Sequence, residues 1–329
     1  MSKKRKDTDY LCLSAQIRSM ERNLLDRSAM ERMLEAPSLE EAVRILTELG
    51  YESFDPQDPA SMQHALLQRR LELFRQLDRY APEPEIVNVF RLQYDYHNVK
   101  TLIKGGEEHL LVDAGCVDAQ TLVRKHRDSG GWEFLPGPMA HAAAEAERVL
   151  VQTGDPQRSD ALLDRAYFAQ MLEMAQETRC AYLVDYVRTT IDAANLRSVI
   201  RTLRMGRTAA FLKEFLFPGG SISVDAVLHA AVNEQVEQLY RPTALRQAAQ
   251  AGVEAVENGT GLTAFEKLCD DAVLRQAGKA RRIPFGVEVV IGYVAAREAE
   301  LTAVRIIISG RVAGLKSDAI RERLRESYV

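Results

Sequence analysis

The sequence predicts an all-helical protein of three similar domains, and three observations carry that prediction. Turn formers are scarce, with 11 Pro and 19 Gly in 329 residues, while the helix formers Leu, Ala, Glu and Arg abound. Apolar residues recur at helical spacing, and neither sustained period-two alternation nor a regular series of hairpin signals is present. A polar pattern on two long helical segments recurs about a hundred residues apart, with a looser third copy. A chain above 300 residues also exceeds the ~250–300 at which a single core stops growing.

The elements follow in order. Ser38 to Glu41 reads as a capping box, with Leu39, Val43 and Leu46 forming the apolar stripe and Gly50 at the left-handed C-terminal position. Gly105-Gly106 closes a long helical pattern. Gly130 to Pro138 is a loop of some apolar content, in which Trp132 either pins the loop to the core or lies at an interface. Leu163, Tyr167, Met171 and Met174 make a further stripe. Gly206 and then Pro218-Gly219-Gly220 mark a second boundary, after which Ser223 opens a helix with Leu228, Val232, Val236 and Leu239 on one side. Gly286 and Gly292 flank an apolar run where close helix packing accounts for them. Gly310 and Gly314 mark a third boundary, and Ser317 caps a last short helix. The boundaries are too short for flexible linkers, and place the domains at 1–108, 109–215 and 216–329.

The repeat is read by setting the helices against one another. Arg91, Asp95, Asn98, Lys100 and Ile103 stand at the same offsets as Arg188, Asp192, Asn195, Arg197 and Ile200. A third copy places Glu300 at the acidic position and Arg305 at the basic one, with Ala303 in place of the asparagine. Asp95 and Asp192 are 97 residues apart, and Asp192 and Glu300 are 108 apart. Arg91 with Asp95, and Arg188 with Asp192, are four apart and share a helix face. Each asparagine is placed to bond the backbone ends of a neighbouring helix. A polar device repeated in this way reads as architecture, not catalysis.

Other features exclude whole classes. Lys plus Arg number 43 and Asp plus Glu 47, a net charge of -4, so there is no basic excess to grip a nucleic-acid backbone. The one basic run, Lys3-Lys4-Arg5-Lys6, reads as a solvated tail. The most apolar stretch, Ile283 to Ala296, is too short to span a bilayer and carries Glu288. No apolar segment follows the N-terminal charges, so the protein is expected to stay on the side where it is made. Cys12, Cys116, Cys180 and Cys269 form no close pair and read as buried free thiols. The six histidines lack metal-ligand spacing, and Asp95 and His97 face different ways on a helix. Cys269-Asp270-Asp271 reads as a helix surface with one buried thiol. No phosphate-cradling GxxxxGK[ST] loop, GxGxxG, HExxH or GxSxG occurs, so neither direct nucleotide binding nor any cofactor is expected.

Several stretches taken in order carry a resemblance. They are Tyr10 to Arg18, Ser38 to Tyr51, the Asp95-Tyr-His-Asn98-Val-Lys100 and Asp192-Ala-Ala-Asn195-Leu-Arg197 helices, and Ile283-Pro-Phe-Gly286 followed by Tyr293 and Arg297-Glu298. Over essentially the whole chain they resemble the C subunit of the archaeal and bacterial V-type (A-type) rotary ATP synthases, whose counterpart in the eukaryotic vacuolar enzyme is the d subunit. The resemblance implies three helical domains in a pseudo-threefold, funnel-shaped arrangement. It implies a non-catalytic rotor part of a proton- or sodium-translocating rotary ATPase, peripheral to the membrane on its cytoplasmic side. Its partners would be the membrane proteolipid ring and the central-stalk subunits, between which it passes torque.

Two other readings remain open from the residues alone. One is a helical repeat scaffold that binds a different helical partner in a groove. The other is an all-helical enzyme using scattered carboxylates, which requires a deep pocket of convergent titratable groups. The repeat itself generates a stability prediction. Replacing Asn98 or Asn195 with Leu is expected to destabilise the protein by ~1–3 kcal/mol, because backbone groups lose a buried partner. An unchanged melting temperature would place these amides in solvent.

Overall fold

A computed structural model describes residues 6–329, so Lys3, Lys4 and Arg5 of the basic run lie outside the described residues. The described chain is all-helical, and no strand occurs among the described residues. The helices are α1 (Leu11–Met20), α2 (Arg27–Glu35), α3 (Leu39–Glu48), α4 (Pro59–Tyr80), α5 (Pro84–Ile103), α6 (Ala119–Ser129), α7 (Gly137–Thr153) and α8 (Pro156–Glu177). They continue as α9 (Ala181–Arg204), α10 (Ala209–Glu214), α11 (Val224–Val232), α12 (Val236–Tyr240), α13 (Arg246–Glu257), α14 (Thr263–Gly278), α15 (Val287–Val312) and α16 (Ser317–Arg321).

Local chemistry sets most helix starts. Asp26, Ser38, Asp118 and Ser223 each accept the N–H of the residue three positions on, satisfying a donor that the helix itself leaves unpaired. Asp58-Pro59 opens α4 and Asp155-Pro156 opens α8, with the aspartate accepting an N–H two residues on. Proline at the first helical position lacks only an N–H that would have gone unbonded. The two Asp-Pro starts stand 97 residues apart, the same separation as Asp95 and Asp192. Gly50 takes φ +87 after α3, the left-handed conformation expected of it.

Some sequence expectations shift. The stripe Leu228–Val232–Val236–Leu239 does not lie on one helix, because Glu234 adopts φ +56 and the chain turns there. Gln235 N–H closes that turn on Ala230 O, Val232 is 64% exposed, and the buried face is Val227 and Ala230. Gly310 ends no helix. It lies inside α15, where a β-carbon would come within 2.8 Å of Ile320, so the glycine admits α16. Ser317 is the first residue of α16, and Lys316 holds the cap position. Cys180 and Cys269 are buried free thiols, but Cys12 and Cys116 are exposed. Asp271 is not surface at all. It is 1% exposed and accepts Glu326 N–H at 2.7 Å, because the C-terminal tail crosses α14 at that point.

The chain forms two compact units. One joins the segment up to Pro84 with Gln250–Val329. Its core gathers Met33, Ala42, Leu46 and Leu66 with Val304, Ile307 and Ile308 of α15, each large apolar side chain contributing about 1.5–3 kcal/mol on burial. Helix α15 packs against α1, α2, α3, α4, α14 and α16, which explains why it is apolar nearly all round. Arginines close the carbonyl ends. Arg311 donates to Met33 O, Leu34 O and Ala36 O at 2.7 Å, capping α2. Arg70 of α4 meets Glu298 of α15 through two 2.9 Å bonds, the bidentate geometry guanidinium favours.

The other unit is Glu85–Ala249. A tight Gly154-Asp155 turn folds α7 against α8, and α9 packs on α8. Trp132 is 2% exposed, stacks on His126 at 4.1 Å and donates its indole N–H to Glu147 at 2.9 Å, so it pins its loop to the core. Tyr96 of α5 donates to Gln170 of α8 at 2.9 Å.

Gly292 tests the closeness of packing around α15. A β-carbon there would lie 2.7 Å from Ala280 Cβ and 3.1 Å from Ala277 O. Gly292→Ala gains ~1 kcal/mol of helix propensity but overpacks at ~1–3 kcal/mol. The expected outcome is a net loss of stability in urea titration, and a gain would show that the neighbours yield freely.

Candidate functional site

The repeated polar residues form a set of clasps. Asp95 on α5 and Asp192 on α9 are each 3% exposed. Asp95 accepts Cys116 N–H at 3.0 Å and Val117 N–H at 2.9 Å. Asp192 accepts Ser221 N–H at 3.1 Å, Ile222 N–H at 3.2 Å and the Ser221 hydroxyl. Burial pushes both carboxyls up from their ordinary value, while the loop donors, with Arg91 and Arg188 respectively, pull the other way. Arg91 and Arg188 thus each favour the charged form of the aspartate four residues on. Arg91 is half-buried and Arg188 exposed.

The asparagines work one turn further on. Asn98 donates to Val112 O at 2.9 Å and accepts Val112 N–H at 2.8 Å. Asn195 does the same with Phe217, both at 2.8 Å. Each amide replaces a complete peptide partner for one loop residue, and both are 0% exposed.

On α15 the third copy departs from the pattern. Glu300 accepts Leu25 N–H at 2.7 Å and also receives the Tyr51 hydroxyl and Arg297. Arg297 donates on to the Tyr293 hydroxyl at 2.8 Å. Burial works against the Arg297 charge, yet Glu300, Tyr293 and Tyr51 together hold it above its usual value. Burial and Glu300 raise the Tyr51 phenol well above its own. One N–H held by each carboxylate belongs to the residue just before a helix cap: Val117 before Asp118, Ile222 before Ser223, and Leu25 before Asp26. Each repeated helix thus fixes the opening of another helical segment, and the last returns to the N-terminal one.

The basic position of the repeat also reaches other helices. Lys100 pairs with Asp164 on α8, and Arg305 donates to Gln63 on α4 at 3.1 Å. Arg305 is exposed and Arg197, on α9, is half-buried. His97 is exposed with Nε2 3.2 Å from Leu110 O, on another face from Asp95.

Sequence reasoning missed the partners of these residues. A β-carbon at Gly115 would lie 2.0 Å from Asp95 Oδ1, and one at Gly220 would lie 2.1 Å from Asp192 Oδ1. Each glycine sits two residues before the held N–H, and the equivalent place before Leu25 is Asn23. Glutamate is one methylene longer than aspartate, so it reaches a loop that keeps its side chain. The offset of Gly115 and Gly220 from their caps was a readable signal. Arg297 had none, since its role depends on Tyr51, far away in the chain.

The clasped carboxylates are occupied by backbone donors or a buried ion pair, which suits positioning more than proton transfer. Among the described residues, no group of three or more His, Cys, Asp or Glu side chains is placed to hold a metal ion. No described helix is long and apolar enough to cross a membrane.

The family model described as ATP synthase (C/AC39) subunit matches residues 13–323. The chain belongs to this family. Among its relatives is the C subunit of the V-type sodium ATPase of Enterococcus hirae, 25% identical over 97% of this chain and 99% of the relative. The C subunit of the V-type ATP synthase of Thermus thermophilus is 26% identical over 96% of this chain and 98% of its own length. The C subunit of the A-type ATP synthase of Methanocaldococcus jannaschii is 26% identical over 96% of this chain and 86% of its own. The C/AC39 protein is thus matched nearly end to end, clasp helices included.

Gly115→Ala and Gly220→Ala are expected to displace the carboxylate and cost about 2–3 kcal/mol through lost charge-assisted bonds. Asn23→Ala, in the matching place, where the side chain is exposed, should stay within about 0.5 kcal/mol. Urea midpoints of the three variants check this, and equal losses at all three would sink the proposed distinction.

Proposed function

We propose that this C/AC39 protein is the non-catalytic central-rotor subunit of a V-type/A-type rotary ATPase or ATP synthase. In this reading it couples the central stalk to the membrane proteolipid ring and transmits torque between them. The observation that carries it is the near full-length match to relatives named as the C subunits of V-type and A-type enzymes. A part of that kind must bear load without bending at its domain joints. The clasps supply a fitting device, since buried carboxylate and amide side chains fix the loops between helical segments. Rearranging them would leave N–H groups or a charge unpaired in the interior.

The same reading takes the repeat as three helical domains of about a hundred residues, near 1–108, 109–215 and 216–329, in a pseudo-threefold funnel. Arg91, Asp95, Asn98, Lys100, Arg188, Asp192, Asn195, Arg197, Glu300 and Arg305 then serve as structural residues, without a catalytic or cofactor role. The protein would sit on the cytoplasmic side of the membrane, attached through the ring.

Reconstitution tests the proposal. The purified chain, mixed with detergent-solubilised proteolipid ring and with stalk subunits, is expected to co-elute with both and to hydrolyse no ATP alone. Failure to bind either partner, or ATP hydrolysis by the isolated chain, would overturn it.

A further inference from the structure

A cleft of about 700 Å³ lies between the end of α14, the turn that follows it and the C-terminal tail. Its lining includes Arg275, Lys279, Arg281, Arg282, Glu326 and Tyr328. Arg275 is matched by Glu326 at 2.7 Å. The other three cations come from four consecutive residues, Lys279–Arg282, and all three are exposed. Among the described residues, none of the three has a carboxylate within 4.0 Å. Lys279 donates to the neutral Gln276 amide, and the Arg281 guanidinium lies 5.9 Å from the centre of the Tyr328 ring. Three positive charges are therefore gathered in one hollow of a chain whose net charge is -4.

The turn presenting them is held from beneath. Ala280 is 0% exposed, and Arg18 donates to Ala280 O at 2.8 Å and to Ile283 O at 2.5 Å. Those carbonyls would otherwise oppose an incoming anion, and they are taken up by Arg18, whose other nitrogen pairs with Glu21 at 2.8 Å. Two adjacent guanidinium forks and an ammonium on a fixed turn suit a compact ligand with several anionic oxygens. An extended acidic peptide would call for charges spread along a surface, whereas these converge on one hollow.

We propose that this cleft binds a phosphate-bearing anion through Lys279, Arg281 and Arg282. Two sources share that chemistry: a soluble phosphate compound and the headgroup of an anionic lipid. The test uses the full chain, with sodium tripolyphosphate in titration calorimetry and phosphatidylglycerol or phosphatidylcholine vesicles in co-sedimentation. The Arg281→Ser/Arg282→Ser double variant removes two exposed charges and, with Arg281, one long contact to the Tyr328 ring, so its melting temperature should stay close to the parent's. Arg124→Ser/Arg127→Ser, which removes two exposed arginines of α6, controls for net charge.

Saturable binding of tripolyphosphate that weakens at least about tenfold in the Arg281/Arg282 variant, and less than about twofold in the control, supports the proposal with a soluble source. Sedimentation with phosphatidylglycerol but not phosphatidylcholine vesicles, showing the same dependence, supports it with a lipid source. Absence of saturable binding to either probe overturns it, as does equal loss in both variants. Tighter binding of a hexaglutamate peptide than of either phosphate probe also overturns it.

Discussion

A buried side chain that accepts the N–H groups of a loop is the interaction on which the rest of this structure depends. Asp95, Asp192 and Glu300 each leave water to do it, and a carboxylate leaves water only where donors replace what is lost. Once such a donor set is assembled, the loop has one position. The cap residue that follows is aimed, and the next helix starts in a fixed direction. Asn98 and Asn195 extend the constraint by holding the N–H and the C=O of one residue upstream of the same loops. The apolar cores supply the larger stabilisation, but apolar contact is non-directional. The clasps add direction to that packing.

The third clasp shows how the constraint tolerates change. Glu300 has more reach, Asn23 stands where the other loops have glycine, and Ala303 stands where the other copies have the amide. Arg297, Tyr293 and Tyr51 then gather around the carboxylate. A buried charge needs partners, and these are drawn from α15 itself and from the N-terminal segment. The segment before α2 and the last long helix therefore share a core, although they lie at opposite ends of the chain. Residues Met33, Leu34 and Ala36 are tied to the same helix by Arg311. For a part proposed to pass torque, joints of this kind are useful, because their rupture would leave uncompensated polar groups inside the protein.

Much of the site was legible because it repeats. Asp95 and Asn98 recur at the same offsets as Asp192 and Asn195, and a helix makes three- and four-residue spacings physically adjacent. What they bond was not legible. Gly115 and Gly220 share an offset from their caps, which marks the loops as alike, but stretches of different length separate them from the carboxylates, so the bond itself is not local. The Leu228–Leu239 stripe failed for a related reason. Its spacing is helical, but a single residue, Glu234, enters the left-handed region and splits it. The acidic pair after Cys269 misled too, since Asp271 is covered by a tail that follows more than fifty residues later.

The sequence by itself determined the all-helical class, most helix starts and the existence of a repeated polar pattern. Those are set by capping side chains, apolar spacing and residue type within a turn or two, where chain connectivity leaves few options. Only the tertiary structure decided what each repeated residue holds, that Glu300 reaches back to Leu25, and that three cations of one turn face the C-terminal tail across a cleft. Those facts join residues tens to hundreds of positions apart. Such encounters depend on how buried faces and polar groups are satisfied together, which no local window of sequence contains.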